Sequence, residues 1–481
     1  MPIAAVTLDD KYALERGRVF LTGTQALVRL PMMQRQRDLA AGLNTAGYIS
    51  GYRGSPLGGL DQALWQGKKF VEKNHIQFDP GTNEDLAATA IWGTQQIHLV
   101  PDAKYDGVFA MWYGKGPGVD RSGDVFKHAN INGTHKHGGV LALAGDDHMA
   151  KSSTIAHQSE FAFVDAMMPV INPAGVQDFL DLGLHGWAMS RYSGCWVGFK
   201  VIGETADTSA SVHVDPQRID IVLPTDFEMP TGGLNLRFPD DFLEQERRLH
   251  LFKLPAAHAY WRANKLDRVT MGGSDARLGI VTAGKAYLDV RQALDELGID
   301  EGEARRLGLA IYKVGLTWPI EPQGVLRFAE GKRELLVVEE KRSLMEQQIK
   351  DLLFNLPAAQ RPRVVGKTDE SGAPLMPTCG EIVPLHLAEV IADRLGVEAR
   401  SERLNQKLEA LARRRGAPAR NTPAMSRVPY FCSGCPHNTS TKVPDGSIAM
   451  AGIGCHYMAL WMDRQTTGFT QMGGEGASWV G

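Results

Sequence analysis

The chain has 481 residues, with 52 Lys and Arg against 55 Asp and Glu and a formal charge of −3. At roughly 150 residues per domain, this length predicts about two to four domains. A hydrophobic share of 43% with 22% charged residues excludes disorder as the main state, and the lack of a net positive field excludes a nucleic-acid binder driven by bulk charge.

The first stretch, Met1 to Arg18, carries Asp9 and Asp10 and has no basic-then-apolar signal. Thr24 to Leu43 has helical spacing, with Ala26, Leu27, Leu30, Leu39 and Leu43. Tyr48 to Tyr52 reads as a short strand running into the turn-rich loop Arg53-Gly54-Ser55-Pro56-Leu57-Gly58-Gly59, and a helix is expected from about Leu60 to Val71. Val108 to Tyr113 is a buried strand ending in the loop Gly114-Lys115-Gly116-Pro117-Gly118. Val140 to Ala144 is another, ending in Gly145-Asp146-Asp147-His148. Strand, polar glycine loop and helix in repetition predict a parallel α/β sheet, whose ligands gather at the carboxyl ends of the strands. The 52 glycines, above the roughly 7% of an average protein, agree with tight turns and close backbone approaches to ligands.

Residues 236–275 read as a connector holding a charged helix around Glu244–His250. A second α/β unit over 276–400 contains strands at Leu278–Ala283, Leu309–Val314 and Glu334–Glu340. Its helices are expected at Ala286–Leu297 and Leu344–Phe354. Residues 401–427 read as a basic linker with Arg413, Arg414 and Arg415. A third unit begins at Val428, and the roughly 50 residues left are too few to close an α/β domain of this style. Its remainder is expected beyond Gly481 or on another chain. No apolar run approaches the roughly 18 residues of a membrane span, so a cytoplasmic protein with no membrane or nucleic-acid partner is the default.

Several groups of residues carry chemistry. Cys432 and Cys435 form a CxxC pair, and Cys455 follows about 20 residues on. Three thiolates around one centre fit an iron–sulfur cluster short of one ligand, or zinc with His437 or His456 as the fourth. A CxxC redox pair is the third reading. Thr82-Asn83-Glu84-Asp85 reads as a helix start, capped by Thr82 or Asn83 with acids at the positive end. The alternative is a buried Glu84 sharing a proton with a heterocycle nitrogen. Arg53 and Ser55, at a strand's carboxyl end, are either plain turn residues or a seat for a small carboxylate. Asp146, Asp147, His148, Ser152, Ser153 and His157 to Glu160 make an unusually polar loop, or a solvated one held by Asx turns. The run from Met472 to Gly481 lets backbone approach something flat or anionic. No Walker motif and no convincing GxGxxG occurs, which argues against ATP and NAD.

These residues together resemble the indolepyruvate:ferredoxin oxidoreductases in their long fused bacterial form, and more broadly the thiamine-diphosphate-dependent 2-oxoacid:ferredoxin oxidoreductases. Gly51-Tyr52-Arg53-Gly54-Ser55-Pro56 is similar to the family's GYPGTPSS-like loop, with Arg53 replacing proline and Ser55 threonine. Asn83-Glu84 resembles its NE pair. Asp146-Asp147 with Ser152-Ser153 resembles its DD…SS segment, and Cys432-Ser433-Gly434-Cys435-Pro436-His437 its CPGCPH. A GDG-type motif and a fourth cluster cysteine do not occur before Gly481, so this stretch alone is expected to lack a complete active site.

The resemblance implies an α/β thiamine-diphosphate-binding fold. Its parts would be a pyrimidine-type domain over 1–235, a transketolase-C-like domain over 276–400 and the start of a diphosphate-binding domain over 428–481. It implies oxidative decarboxylation of aryl 2-oxoacids to acyl-CoA and CO2, with electrons passing through iron–sulfur centres to ferredoxin, in a homodimer. Glu84 would be the activating acid. Ser55 and Arg53 would hold the substrate. Gly54, Lys115, Gly116, Gly118, Gly473 and Gly474 would line thiamine diphosphate and its Mg²⁺. Cys432, Cys435 and Cys455 would be three ligands of a [4Fe–4S] cluster, which the resemblance favours over zinc. A non-redox 2-oxoacid decarboxylase and a zinc-stabilised subunit without catalysis are the rival readings.

Overall fold

A computed structural model of the chain describes residues 6–416 and 427–481. It divides into two compact units, Met1–Leu411 and Ala412–Gly481. In the larger unit the strands are β1 (Gly17–Thr22), β2 (Ala46–Gly51), β3 (Ile76–Phe78), β4 (Val108–Lys115), β5 (Val140–Asp146), β6 (Val170–Ile171) and β7 (Val197–Ile202). They continue as β8 (Ser209–Val214), β9 (Arg268–Met271), β10 (Leu278–Ala283), β11 (Leu309–Val314), β12 (Leu316–Trp318), β13 (Glu334–Val338) and β14 (Arg363–Val365).

Among the described residues one sheet runs β12-β6-β7-β5-β4-β2-β3, parallel except for β12. A second runs β14-β13-β10-β11-β9, parallel except for β9. The strands β1 and β8 form an antiparallel ribbon. Both larger sheets are apolar on both faces, as parallel sheets covered by helices must be. In β4, Phe109, Met111 and Tyr113 enter one core while Ala110 and Trp112 enter the other. In β10, Leu278 and Ile280 face one core and Val281 and Ala283 the opposite one. This period-two alternation explains why these strands read as continuous apolar runs.

Helix α1 (Gly23–Ala40) starts on a capping box in which Thr22 Oγ1 accepts from the Gln25 backbone N–H and the Gln25 side chain accepts from the Thr22 N–H. It packs with α2 (Val176–Ser193) over the first core, where Leu30 fills the space left by Gly183. The expected helix from Leu60 to Val71 is two helices, Leu60–Gln66 and Lys68–Lys73, parted at Gly67 where the chain presses on Tyr12 and Val28.

Residues 236–275 are more than a connecting stretch. Phe242–Arg248 is helical, Leu249–Lys253 forms a π turn, and α3 (Leu254–Ala263) buries Tyr260 and Trp261 in the core of the first sheet. Arg268–Met271 then joins the second sheet. Part of the basic stretch 401–427 is helical too. In α4 (Glu402–Gly416), Leu404 and Leu411 are buried in a core of the second sheet with Leu408 beside them; residues 417–426 lie outside the described residues. Those leucines recur at helical spacing, a signal hidden by the surrounding charge.

The smaller unit contains the parallel pair Ala449–Ala451 and Thr466–Phe469, with Phe431, Ala451 and Ala459 buried. No helix among the described residues is long and apolar enough to cross a membrane. Trp261→Ala removes a fully buried indole and its hydrogen bond to Asp267 (2.7 Å). We expect a loss of about 3–5 kcal/mol, read as a lower denaturation midpoint.

Candidate functional site

The carboxyl edge of the first sheet brings distant loops together. The strand β2 ends at Gly51. The next residue, Tyr52, donates its N–H to the Tyr113 carbonyl on β4 (3.0 Å). The loop that follows arches over the ends of β4 and β5. A Cβ on Gly54 would fall 2.8 Å from Lys115 Cδ, and one on Gly145 would fall 3.2 Å from Leu57. Arg53 and Ser55 stand exposed on this arch.

The loop after β3 is tied to the same edge. Asp79 N–H donates to Ile49 O and Gly81 N–H to Gly51 O. It leads into helix Glu84–Gln95, where the Asn83 side chain accepts from the Leu86 N–H (2.9 Å) as N-cap. Glu84 is 6% exposed, and Trp112 Nε1 donates to its carbonyl (2.9 Å). Its side chain lies where a Cβ on Gly118 would be, 2.5 Å from Glu84 Cγ and 2.8 Å from Oε1. The segment is thus a capped helix start, and Glu84 in its first turn is buried.

The glycine stretch 114–118 is not a loop. Strand β4 continues through Lys115, and a short helix, Gly116–Arg121, begins at once. Its glycines serve close approach: Gly116 lies against the His157 ring, and Gly118 against Glu84. Nε2 of His157 lies 3.3 Å from Asp120 on the same helix. Burial opposes charge on His157, but the hydrogen bond and charge of Asp120 outweigh it, and the imidazole sits above its ordinary value.

The polar loop after β5 is partly structural. Asp147 Oδ2 accepts from the N–H and hydroxyl of Ser152, the Asx arrangement of a solvated loop. Asp146, fully buried, accepts from the N–H and hydroxyl of Ser159 and closes the loop at its neck. His148 is 4% exposed, and neither ring nitrogen has a hydrogen-bond partner. Burial, then the charges of Lys200 and Lys341, push its imidazole down to about 2. It lines a cavity of about 20 Å³ with Glu160, Asn172, Lys200, Lys285 and Glu340. Lys200 pairs with Glu160 (2.5 Å) there. Lys200 escaped the sequence reading, although one charge inside the apolar run Val197–Ile202 was a usable signal.

In the smaller unit, Cys432 and Cys435 share a tight turn, with the Cys435 N–H donating to Cys432 O (3.0 Å). Cys435 Sγ lies 3.4 Å from His437 Nδ1, and His456 Nδ1 accepts from the Gly452 N–H. Among the described residues, no three His, Cys, Asp or Glu side chains converge as a metal-holding group. Cys432, Cys435 and Cys455 are all free thiols, with Cys435 half-buried and the other two exposed. Gly473 and Gly474 occupy an exposed turn, their N–H groups donating to Glu475 and to Gln471 O.

Residues 268–418 match the family described as the indolepyruvate oxidoreductase domain. The family resemblance read from the sequence is borne out. An indolepyruvate oxidoreductase subunit IorA from Methanothermobacter marburgensis is 24% identical over 89% of this chain and 61% of its own length. One from Pyrococcus abyssi is 24% identical over 95% of this chain and 64% of its own length. The chain thus spans less than two thirds of these relatives. Its fold is similar to that of the 2-oxoglutarate:ferredoxin oxidoreductase from Magnetococcus marinus, a structure with 2-oxoglutarate, coenzyme A and succinyl-CoA bound. The TM-score is 0.54 at 13% identity, covering 79% of this chain and 65% of that one.

The His157–Asp120 pair has a pH signature. With its folded-state value raised, His157 contributes stability that is full below the unfolded imidazole value of about 6.5 and is lost as pH rises through the folded one. In an NMR titration Asp120→Asn should lower the His157 midpoint and flatten that part of the stability profile. An unmoved midpoint would count against the pair.

Proposed function

We propose that this chain is the thiamine-diphosphate-activating part of an oxidoreductase that decarboxylates aryl 2-oxoacids oxidatively. Overall, one 2-oxoacid and coenzyme A would give the acyl thioester, CO2, one proton and two electrons, the electrons reducing two ferredoxins. The observation that carries this reading is Glu84, buried at the carboxyl edge against Gly118, within a chain whose relatives are indolepyruvate oxidoreductase subunits.

The donor set fits an aminopyrimidine at that point. Glu84 is shielded from water, its helix turn is fixed by the Asn83 cap and the Trp112 indole, and the facing residue has no side chain to obstruct it. A carboxyl group so placed can hold a proton against a ring nitrogen. Thiamine diphosphate, when bound, supplies a thiazolium carbanion for attack on the keto carbon and a sink for the electrons released with CO2. In this reading Glu84 holds the ring and its proton. Gly54, Gly116 and Gly118 let backbone approach, and Ser55 and Arg53 face the substrate from the arch. Gly473 and Gly474 would serve the diphosphate, with Mg²⁺ as its counter-ion. A homodimeric assembly in the cytoplasm accompanies the reading.

In the complete protein, Glu84→Gln should keep the fold and lower 2-oxoacid-dependent ferredoxin reduction by about a hundredfold or more. The measurement is the initial rate with indolepyruvate and coenzyme A, beside a melting curve. Near-normal turnover in a folded variant removes Glu84 from this role.

A further inference from the structure

The geometry points to Lys115 as the residue that binds the carboxylate of the 2-oxoacid. The assignment rests on the reading above and identifies a specificity-determining charge within it.

Lys115 is the last residue of β4, a central strand of the first sheet. Its stem is fixed in place. A Cβ on Gly54 would come within 2.8 Å of Lys115 Cδ and 3.0 Å of Cγ, so the arch of the β2 loop lies directly on the methylene chain. The residue is half-buried. Among the described residues, however, its ammonium makes no hydrogen bond and no ion pair. The other half-buried or buried lysines near this edge are matched: Lys200 with Glu160, Lys285 with Asp289, and Lys313 with Asp178. A stem held this tightly with a free cation at its tip is a preorganised anion seat, because the side-chain ordering has already been met in the fold.

The position of the charge adds the second half of the argument. Lys115 is followed by the helix whose Gly118 touches Glu84, so the cation and the buried acid flank one strand–helix junction. A 2-oxoacid carries its carboxylate on the carbon next to the reacting carbonyl. Its anion seat must therefore lie close to the group that activates the cofactor. Arg53 is less suited. It stands exposed on the arch rather than at a strand end, and its charge acts on the Tyr113 hydroxyl beneath. Ser55, one residue beyond Gly54, stands exposed on the same arch.

The test separates charge recognition from catalysis. In the complete protein, equilibrium titration with 3-phenylpropanoate, an unreactive aryl carboxylate, is compared with 3-phenylpropanamide for wild type, Lys115→Met and Lys115→Arg. Lys115→Met should weaken the acid by about tenfold or more and leave the amide unchanged. Lys115→Arg should recover most of the acid affinity. A wild type with no preference for the acid overturns the assignment, and so does a Lys115→Met that weakens both ligands alike or neither. If Lys115→Met does not fold, Lys115→Gln is read by the same criteria. Failure of the underlying functional reading shows elsewhere, as a wild type that reduces no ferredoxin with any 2-oxoacid, whatever the titration gives.

Discussion

Glu84 can lie buried at the carboxyl edge only because residue 118 has no side chain. Taking a carboxyl group out of water is costly, and the cost has to be met locally. Here the acid stands in the first turn of a helix, where the dipole favours negative charge and Asn83 satisfies a free N–H. The Trp112 indole fixes the carbonyl of the same residue from within the sheet. In turn, the helix that supplies Gly118 is held down by the His157 ring on Gly116 and by the link from that ring to Asp120. One absent Cβ thus joins a strand, two helices and the long loop after β5.

A second set of constraints lies where the two larger sheets meet. Buried charges gather there, among them Lys200, Lys285, Glu160 and Glu340, and each is matched by an opposite group or a backbone N–H. Such pairs add little net stability over an apolar contact, but breaking one strands the other. The Lys341 ammonium donates to the His148 carbonyl, and Gln158 donates to Arg342 O, so the loop after β5 is moored to the second sheet as well as to the first.

Much of this architecture was legible because the central strands β4, β5, β10 and β11 are apolar runs closed by glycine or a polar residue, and each lies in a largely parallel sheet. The site was half legible. Asn83-Glu84 announced a helix start, and burial of Glu84 stood beside it as the alternative that the family motif favoured. Composition misled where glycine served contact instead of a turn: the stretch 114–118 looked like a loop and is the junction of a strand and a helix. The contacts of Gly54 with Lys115 and of Gly116 with His157 join residues far apart in sequence, and no local pattern encodes them. The arginine run hid Leu404, Leu408 and Leu411, and the charged helix near Glu244 hid Trp261 downstream. The cysteine pair was legible as a tight turn, in which the Cys435 N–H donates to Cys432 O.

Strand β12 belongs by sequence to the second sheet's half of the chain, yet it completes the edge of the first by pairing with β6, and Asn172 N–H is closed by Gly315 O. Severed between the halves, the first sheet would present β6 as an open rim of unmet N–H and C=O groups, a template for stray pairing. The two sheets are one folding commitment, not a pair of interchangeable cassettes.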